Sequence, residues 1–337
     1  IRMEGGFEKL GRREEIFPWQ GLSPIDLQRI ISEYGIVEME GTGRPVSDIL
    51  SSLRSVKESL TLVVRCVFDD PWLAADYVLC RERFRAVVEG SVIACRASRA
   101  ARVVFAVSHR ERELGTALLT EAASFDIPAS MALVSSRYPQ RNRRELELVL
   151  RAYGKKEGIE LGVILPLGPA TLAAIHDAVK LKKPILDRYV AVGGSAVKTP
   201  QVMKVRIGTR IGEVFAECDG FIDKPKRIAT GSPLMGRPVF DLDEPVIKTS
   251  YAVFAILGGA IGSSVSGTRS NCIGCGECRA VCPVGLDPEE LYKKINTAKD
   301  RPQGVAECHG CGCCEVICPS RLPLSTAITA AAYRGIS

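Results

Sequence analysis

Histidine is scarce in this chain, with three in 337 residues, as are tryptophan, with two, and aromatics overall, at 6%. No run of eighteen apolar residues occurs, so a membrane-crossing helix is not expected; the best stretch, residues 251–262, is too short and contains Gly258 and Gly259. Residues 1–20 carry charge and lack an apolar signal core, which points to a reducing compartment for the unpaired thiols. The first residue is Ile1 rather than Met, which leaves the natural start open. Basic residues are not interleaved with aromatics, so no nucleic acid is expected as partner. The net charge of +6 is mild, a solvated face able to steer an acidic partner or an anionic membrane surface. A hydrophobic content of 46% is ordinary for a globular protein, and the length predicts two or three domains.

Cysteine, by contrast, is plentiful and clustered: nine of the 13 lie between residues 272 and 318. Cys272-Ile-Gly-Cys275-Gly-Glu-Cys278-Arg-Ala-Val-Cys282-Pro283 and Cys308-His-Gly-Cys311-Gly-Cys313-Cys314-Glu-Val-Ile-Cys318-Pro319 both read C-x2-C-x2-C-x3-C-P. That is the bacterial ferredoxin spacing for cubane [4Fe-4S] clusters. Three closely set thiolates on a glycine-rich turn wrap one cubane, and the fourth points to the other cluster. The expected ligands are therefore Cys272, Cys275, Cys278 and Cys318 for the first cluster, and Cys308, Cys311, Cys314 and Cys282 for the second. Structural zinc prefers two well-separated ligand pairs, which this crowding fits poorly. Disulfides would have to close within single tight turns. Cys313, off the pattern, is expected to be a small buried residue, and His309 to cover or tune the second cluster. Pro283 and Pro319 end the ligand turns.

Upstream, Ser23 is placed to cap a helix over Pro24–Tyr34. Gly35-Ile-Val-Glu-Met-Glu-Gly41-Thr-Gly43-Arg-Pro45 is either a phosphate-cradling turn, with Ser47 and Asp48 at the start of the next helix, or an ordinary glycine turn. From Leu60 onward, short apolar runs (62–67, 102–107, 131–134, 162–165) alternate with helical segments (72–90, 111–124, 141–153, 170–180). This predicts a parallel α/β sheet with ligands at the carboxyl ends of its strands. Asp69 and Asp70 sit at such an end, as ribose or ribityl ligands or as helix caps. Residues 184–249 change character, with strands at 189–192, 202–207 and 227–230 and a helix at 211–217, an α+β module. Cys66, Cys80, Cys95 and Cys218 read as core residues.

Taken together, these segments resemble the RnfC family, the peripheral subunit of ion-translocating ferredoxin:NAD oxidoreductase (Rnf) complexes. The resemblance rests on Ser136-Arg-Tyr138-Pro139-Gln140, Arg188-Tyr-Val-Ala-Val-Gly193-Gly-Ser-Ala-Val-Lys-Thr-Pro200, Arg206-Ile-Gly208-Thr, Gly231-Ser-Pro-Leu-Met-Gly236 and the doubled cysteine motif running into Pro319-Ser320-Arg321. It implies three domains: a flavin-subunit-like α/β domain over 1–183, similar to the complex I NADH-oxidising subunit but shortened at its N-terminus; a β-grasp, SLBB-like module over 184–249; and a helical double [4Fe-4S] ferredoxin-like domain over 250–337. Electron transfer follows as the expected role, with membrane subunits of an Rnf complex and a soluble ferredoxin or flavodoxin as partners. The expected location is peripheral, on the cytoplasmic face of the inner membrane.

The family's flavin and NADH site is where the chain departs. A run of the type G-L-G-G-A-x-F-P-T becomes Glu38-Met-Glu-Gly41-Thr-Gly43-Arg-Pro45, and N-x-x-E-x-E-P becomes Arg65, Phe68, Asp70 and Pro71. The N-V-G-T segment reads Gly168-Pro-Ala-Thr171, and G-x-E-K becomes Arg141-Asn-Arg-Arg144. Charged groups in a phosphate turn oppose the close backbone approach that a flavin phosphate needs. FMN and NAD(H) are accordingly not expected to bind as in the family, and no catalytic acid–base residue is expected. The competing expectation is a soluble flavin- and NADH-dependent reductase resembling the microcompartment corrinoid reductase, which requires that same site to work.

Overall fold

The computed structural model describes residues 18–41, 43–258, 269–297 and 302–333, without the side chains of Pro71 and Tyr333. The charged opening through residue 17, Thr42 of the glycine turn, and the end of the 251–262 run lie outside the described residues. The chain divides into two compact units. One holds the chain through Gly193 with Val197–Gly220 and Phe240–Val253; the other holds Gly194–Ala196, Phe221–Val239 and Phe254 onward.

In the first unit, Ser23 caps α1 (Pro24–Glu33), its Oγ accepting the Asp26 N–H at 3.2 Å. After α2 (Val46–Ser52), the alternation foreseen from the apolar runs follows: β1 (Leu60–Cys66), α3 (Ala74–Glu82), α4 (Phe84–Ser98), β2 (Arg102–Ser108), α5 (Arg112–Ala122), β3 (Ala129–Val134), α6 (Arg143–Glu157), β4 (Val163–Leu167) and α7 (Pro169–Leu181). The four strands form one parallel sheet in the order β3-β2-β1-β4. Alternate residues bury on opposite faces. Leu62, Val64 and Phe105 pack with the helices of the larger core, while Val63, Val104 and Ala132 pack against Leu146 and Leu150 of α6. Burial on both faces explains why these strands read as unbroken apolar runs.

The helix anticipated over 72–90 is broken at Arg83, whose guanidinium forms two bonds to Asp177 of α7, at 3.1 and 2.6 Å. Beyond the break, α4 lies so close to α7 that a Cβ at Gly90 would fall 2.0 Å from the Leu172 carbonyl oxygen. A polar network bridges the same helices. Glu89 accepts from Trp19 Nε1 at 2.8 Å and Lys180 Nζ at 2.6 Å, and His176 lies between Glu89 and Asp177. Burial works to raise the Glu89 and Asp177 carboxyls, but their hydrogen bonds bring each down to about 2. Burial likewise works to lower His176, and its two carboxylate partners raise it overall.

The first unit closes with β5 (Asp187–Gly193), antiparallel to β6 (Gln201–Arg206), and α8 (Ile211–Ala216). Arg188, 1% exposed, pairs with Asp76 at 3.1 Å. In the second unit, β7 (Arg227–Thr230) pairs antiparallel with β8 (Arg237–Pro238). Residues of the apolar run at 251–262 form β9 (Ala252–Ile256), not foreseen as a strand, with Ala252 and Val253 counted to the first unit and the rest to the second. Four helices follow: α9 (Glu277–Ala280), α10 (Pro288–Thr297), α11 (Cys313–Ile317) and α12 (Leu324–Tyr333). Among the described residues no helix is long and apolar enough to cross a membrane.

Candidate metal centre

Gly276 and Gly312 stand immediately before α9 and α11 at φ of 75° and 79°, a backbone state that a side chain would oppose. Each lets the chain turn sharply between the second and third cysteines of its motif. Gly312 also has no room for a Cβ, which would lie 2.8 Å from the Leu234 carbonyl oxygen.

The turns gather the thiols around two cavities. Cys272, Cys275, Cys278 and Cys318 line one, with Ile273 and Glu289. Cys282, Cys308, Cys311 and Cys314 line the other, with His309 and Ser325. Each motif thus gives three thiols to one cavity and one to its neighbour. Backbone N–H groups point at the sulfurs: Gly274 donates to Cys272 Sγ and Gly310 to Cys308 Sγ, both at 3.4 Å, and Leu286 donates to Cys282 Sγ at 3.3 Å. Such donors favour an anionic thiolate or cluster. Leu322 and Leu324 pack with Cys278 and Cys314 in one apolar cluster between the motifs.

The residue set fits a pair of cubanes. Among the described residues no three of His, Cys, Asp and Glu converge as ligands of a single metal ion must. Thiols that ring a cavity suit one thiolate per cluster corner instead. The surroundings are unequal, for Cys272 and Cys275 are exposed whereas Cys311 and Cys314 are buried. Burial pushes the Cys314 thiol up to about 12. Cys313 is half-buried rather than buried, and does not line either cavity. Cys66, Cys80, Cys95 and Cys218 are all buried, in keeping with a core role.

Two features here escaped the reading of the sequence. Helices α10 and α12 were not foreseen, although Asp287-Pro288-Glu289-Glu290 is a cap followed by proline and acids, a recognisable helix start. Asp287 Oδ1 accepts the Glu290 N–H at 3.1 Å. Their first turns bring Glu289 and Ser325 to the cavities.

The flavin-type cleft of the first unit is arranged otherwise. The order β3-β2-β1-β4 places the reversal of winding between β1 and β4, where open α/β sheets take their ligands. The segment Glu38–Gly41 occupies that position. The Glu40 carboxylate accepts from the Thr171 N–H at 3.0 Å and from the Thr171 hydroxyl, at the first turn of α7. It rests on Gly168, where a Cβ would lie 2.2 Å from the Glu40 carboxyl carbon. Met39 N–H donates to Thr171 Oγ1 at 2.9 Å, and Arg65 pairs with Glu38 at 3.3 Å.

The anion at this helix start is therefore the chain's own side chain, and a flavin phosphate does not fit beside it. Glu38 N–H bonds to the Arg44 carbonyl at 2.9 Å, so the glycine segment is a closed turn. Ser47 and Asp48 lie on the short α2 and hold no cradle. Asp70 accepts the Trp72 N–H at 3.0 Å, which is capping. Asp69 accepts the Arg141 N–H at 2.9 Å, and burial raises its carboxyl.

Comparison with known proteins follows this division. Residues 31–160 match the Nuo51 FMN-binding domain, 189–238 the SLBB domain and 265–319 the 4Fe-4S dicluster domain. The C subunit of the ion-translocating oxidoreductase complex of Rhodobacter capsulatus is 29% identical over 280 residues, covering 82% of this chain and 53% of that protein. Its counterpart in Pseudomonas aeruginosa is 31% identical over 288 residues, 84% of this chain and 37% of that one. The chain is an RnfC relative. A third protein similar to it is the C subunit of the proton-translocating ferredoxin:NAD(+) oxidoreductase complex of Clostridium ljungdahlii, 28% identical over 81% of this chain and 59% of that one. This RnfC relative thus spans about half the length of the curated proteins it matches. Its fold is also that of a chain of an NAD+-reducing [NiFe]-hydrogenase, with a TM-score of 0.64 at 14% identity over 93% of this chain and 61% of that one.

Proposed function

We propose that this RnfC relative is an electron-transfer subunit of an Rnf-type, membrane-bound, redox-driven ion-translocating complex. It sits peripherally on the cytoplasmic face of the inner membrane and relays electrons between a soluble ferredoxin or flavodoxin and the membrane subunits. The observation that carries this reading is the interleaving of two sets of four thiols around neighbouring cavities. Two [4Fe-4S] clusters bound there would supply one-electron transfer.

The chain's own residues do the rest. Cys272, Cys275, Cys278 and Cys318 hold one cluster, and Cys308, Cys311, Cys314 and Cys282 hold the other. Gly274, Gly310 and Leu286 direct N–H groups at the sulfurs. Leu322 and Leu324 exclude water from the wall between the motifs. No acid or base is required, because only electrons move. The three modules, over 1–183, 184–249 and 250–337, divide the work into a closed flavin-type scaffold, a β-grasp connector and the redox lobe. A flavin- and NADH-dependent reductase would need a phosphate seat that Glu40 fills.

Anaerobic purification with metal and flavin analysis tests the reading. Iron and sulfide of about eight each per chain are expected, with a brown absorbance bleached by dithionite and not by NADH. A stoichiometric flavin bleached by NADH, or zinc in place of iron, would overturn it.

A further inference from the structure

The two cavities are related by an internal repeat, and the repeat is broken at positions that matter electrically. Matching Cys272 to Cys308 also matches Cys275 to Cys311, Cys278 to Cys314 and Cys282 to Cys318. The N–H bonds from Gly274 and Gly310 correspond under the same match, as do Leu286 and Leu322, one in each lining. Three lining positions differ in kind, one of them Ser320 of the first cavity against Val284 of the second. Ile273 of the first cavity stands where His309 stands in the second, and Glu289 stands where Ser325 does.

Glu289 and Ser325 are each the second residue of a helix, α10 and α12, and each lines its own cavity. Glu289 has a side chain only 17% exposed, and it is the sole carboxylate lining either cavity among the described residues. Lys293 pairs with it at 2.5 Å from the next turn but is 63% exposed and does not line the cavity. The lysine partly offsets the carboxylate's charge, and of the pair only Glu289 lines the wall. Other charged groups act on the thiols without lining either cavity, Asp287 on Cys278 and Glu315 on Cys314. Arg279 pairs with Asp287, and Glu315 accepts from the Ser325 hydroxyl at 2.8 Å and from the Thr326 N–H at 3.1 Å. Ser325 thus spends its hydroxyl on Glu315, and the second cavity receives no charge from this position.

Reduction of a cluster adds one negative charge, and a fixed carboxylate in a partly desolvated wall opposes it. We propose that Glu289 lowers the reduction potential of the cluster held by Cys272, Cys275, Cys278 and Cys318, and so makes the two halves of the repeat electronically unequal. This rests on the cluster reading above and names the residue that differentiates the two centres. Its role is positioning of charge, not ligation.

The test is a redox titration of the full chain followed by electron paramagnetic resonance, after iron has been counted. Glu289→Gln is expected to raise one midpoint and leave the other unchanged, moving the electron's equilibrium between the clusters about tenfold, ~59 mV for a one-electron couple. Glu289→Asp is expected to stay near the parent, and Ser325→Glu to lower the other midpoint by a similar factor. Unmoved midpoints in iron-replete Glu289→Gln protein overturn the proposal, and so does an equal movement of both. If Glu289→Gln loses iron, Ser325→Glu decides, and failure to lower a midpoint there overturns it. Parent protein without iron overturns the cluster reading itself, which is recognised at the counting step before any titration.

Discussion

The cleft between β1 and β4 and the lobe around the cysteines are both places where a fold of this kind holds a cofactor, and they have been treated in opposite ways. In the cleft, a glutamate from the chain meets the helix start, an arginine meets a second glutamate, and the glycine turn is hydrogen-bonded shut. In the lobe, eight thiols face two cavities, with backbone N–H groups aimed at several sulfurs. A retained framework is therefore no guide to a retained ligand. What decides is whether the polar groups at the site are satisfied from within.

The largest effect that would sharpen this contrast is expected from Cys275→Ser. Iron should fall from about eight to about four per chain, and amide exchange over α9–α12 should rise, because metal binding and folding are coupled in such a lobe. Full iron content in that variant would contradict the ligand assignment. Next comes Phe105→Ala, in the core of the parallel sheet and fully buried, expected to cost the first unit about 3–5 kcal/mol in denaturant unfolding. Iron content should stay unchanged there, so a parallel loss of iron would mean the two regions do not stand apart.

A smaller change is expected from Glu40→Ala, which strips the Thr171 N–H and hydroxyl of their acceptor at a cost of about 1–2 kcal/mol. Added FMN should keep its fluorescence with the parent protein, and quenching at stoichiometric protein would break the comparison outright.

The smallest effect concerns pH and the network on α4 and α7. Glu89 and Asp177 titrate at about 2 in the fold, below the ordinary carboxylate range. Their contribution is full above about pH 4.5 and is lost as pH falls toward 2. His176 is raised in the fold, so its contribution is present in mild acid and is lost as pH rises through its elevated value. Urea midpoints of the parent against His176→Gln from pH 3 to 9 should converge at the alkaline end, and a constant gap would show that its charge is immaterial.

Much of this was legible from the residues. The four parallel strands announced themselves because burial on both faces leaves unbroken apolar runs, and Ser23 before Pro24 gave the cap of α1. The cysteine spacing nominated the thiols that line each cavity. The position of β9 was hidden, since its apolar run is short and ends in glycines. The break at Arg83 was hidden as well, because a long-range partner, Asp177, sets it rather than a local breaker. Glu38 and Glu40 were visible as acids in the wrong turn. Their destinations were not, because Arg65 and Thr171 are brought to them only by the sheet.

The exchange of fourth thiols between the motifs has a consequence for biosynthesis. With the ligand sets proposed above, one ring lacks a corner until Cys314 has left the ribosome, and the other until Cys318 has, so neither can be closed on the nascent first motif. Iron carriers must wait for almost the whole lobe to emerge. A premature stop anywhere between residues 283 and 307 would yield a polypeptide unable to complete even one centre.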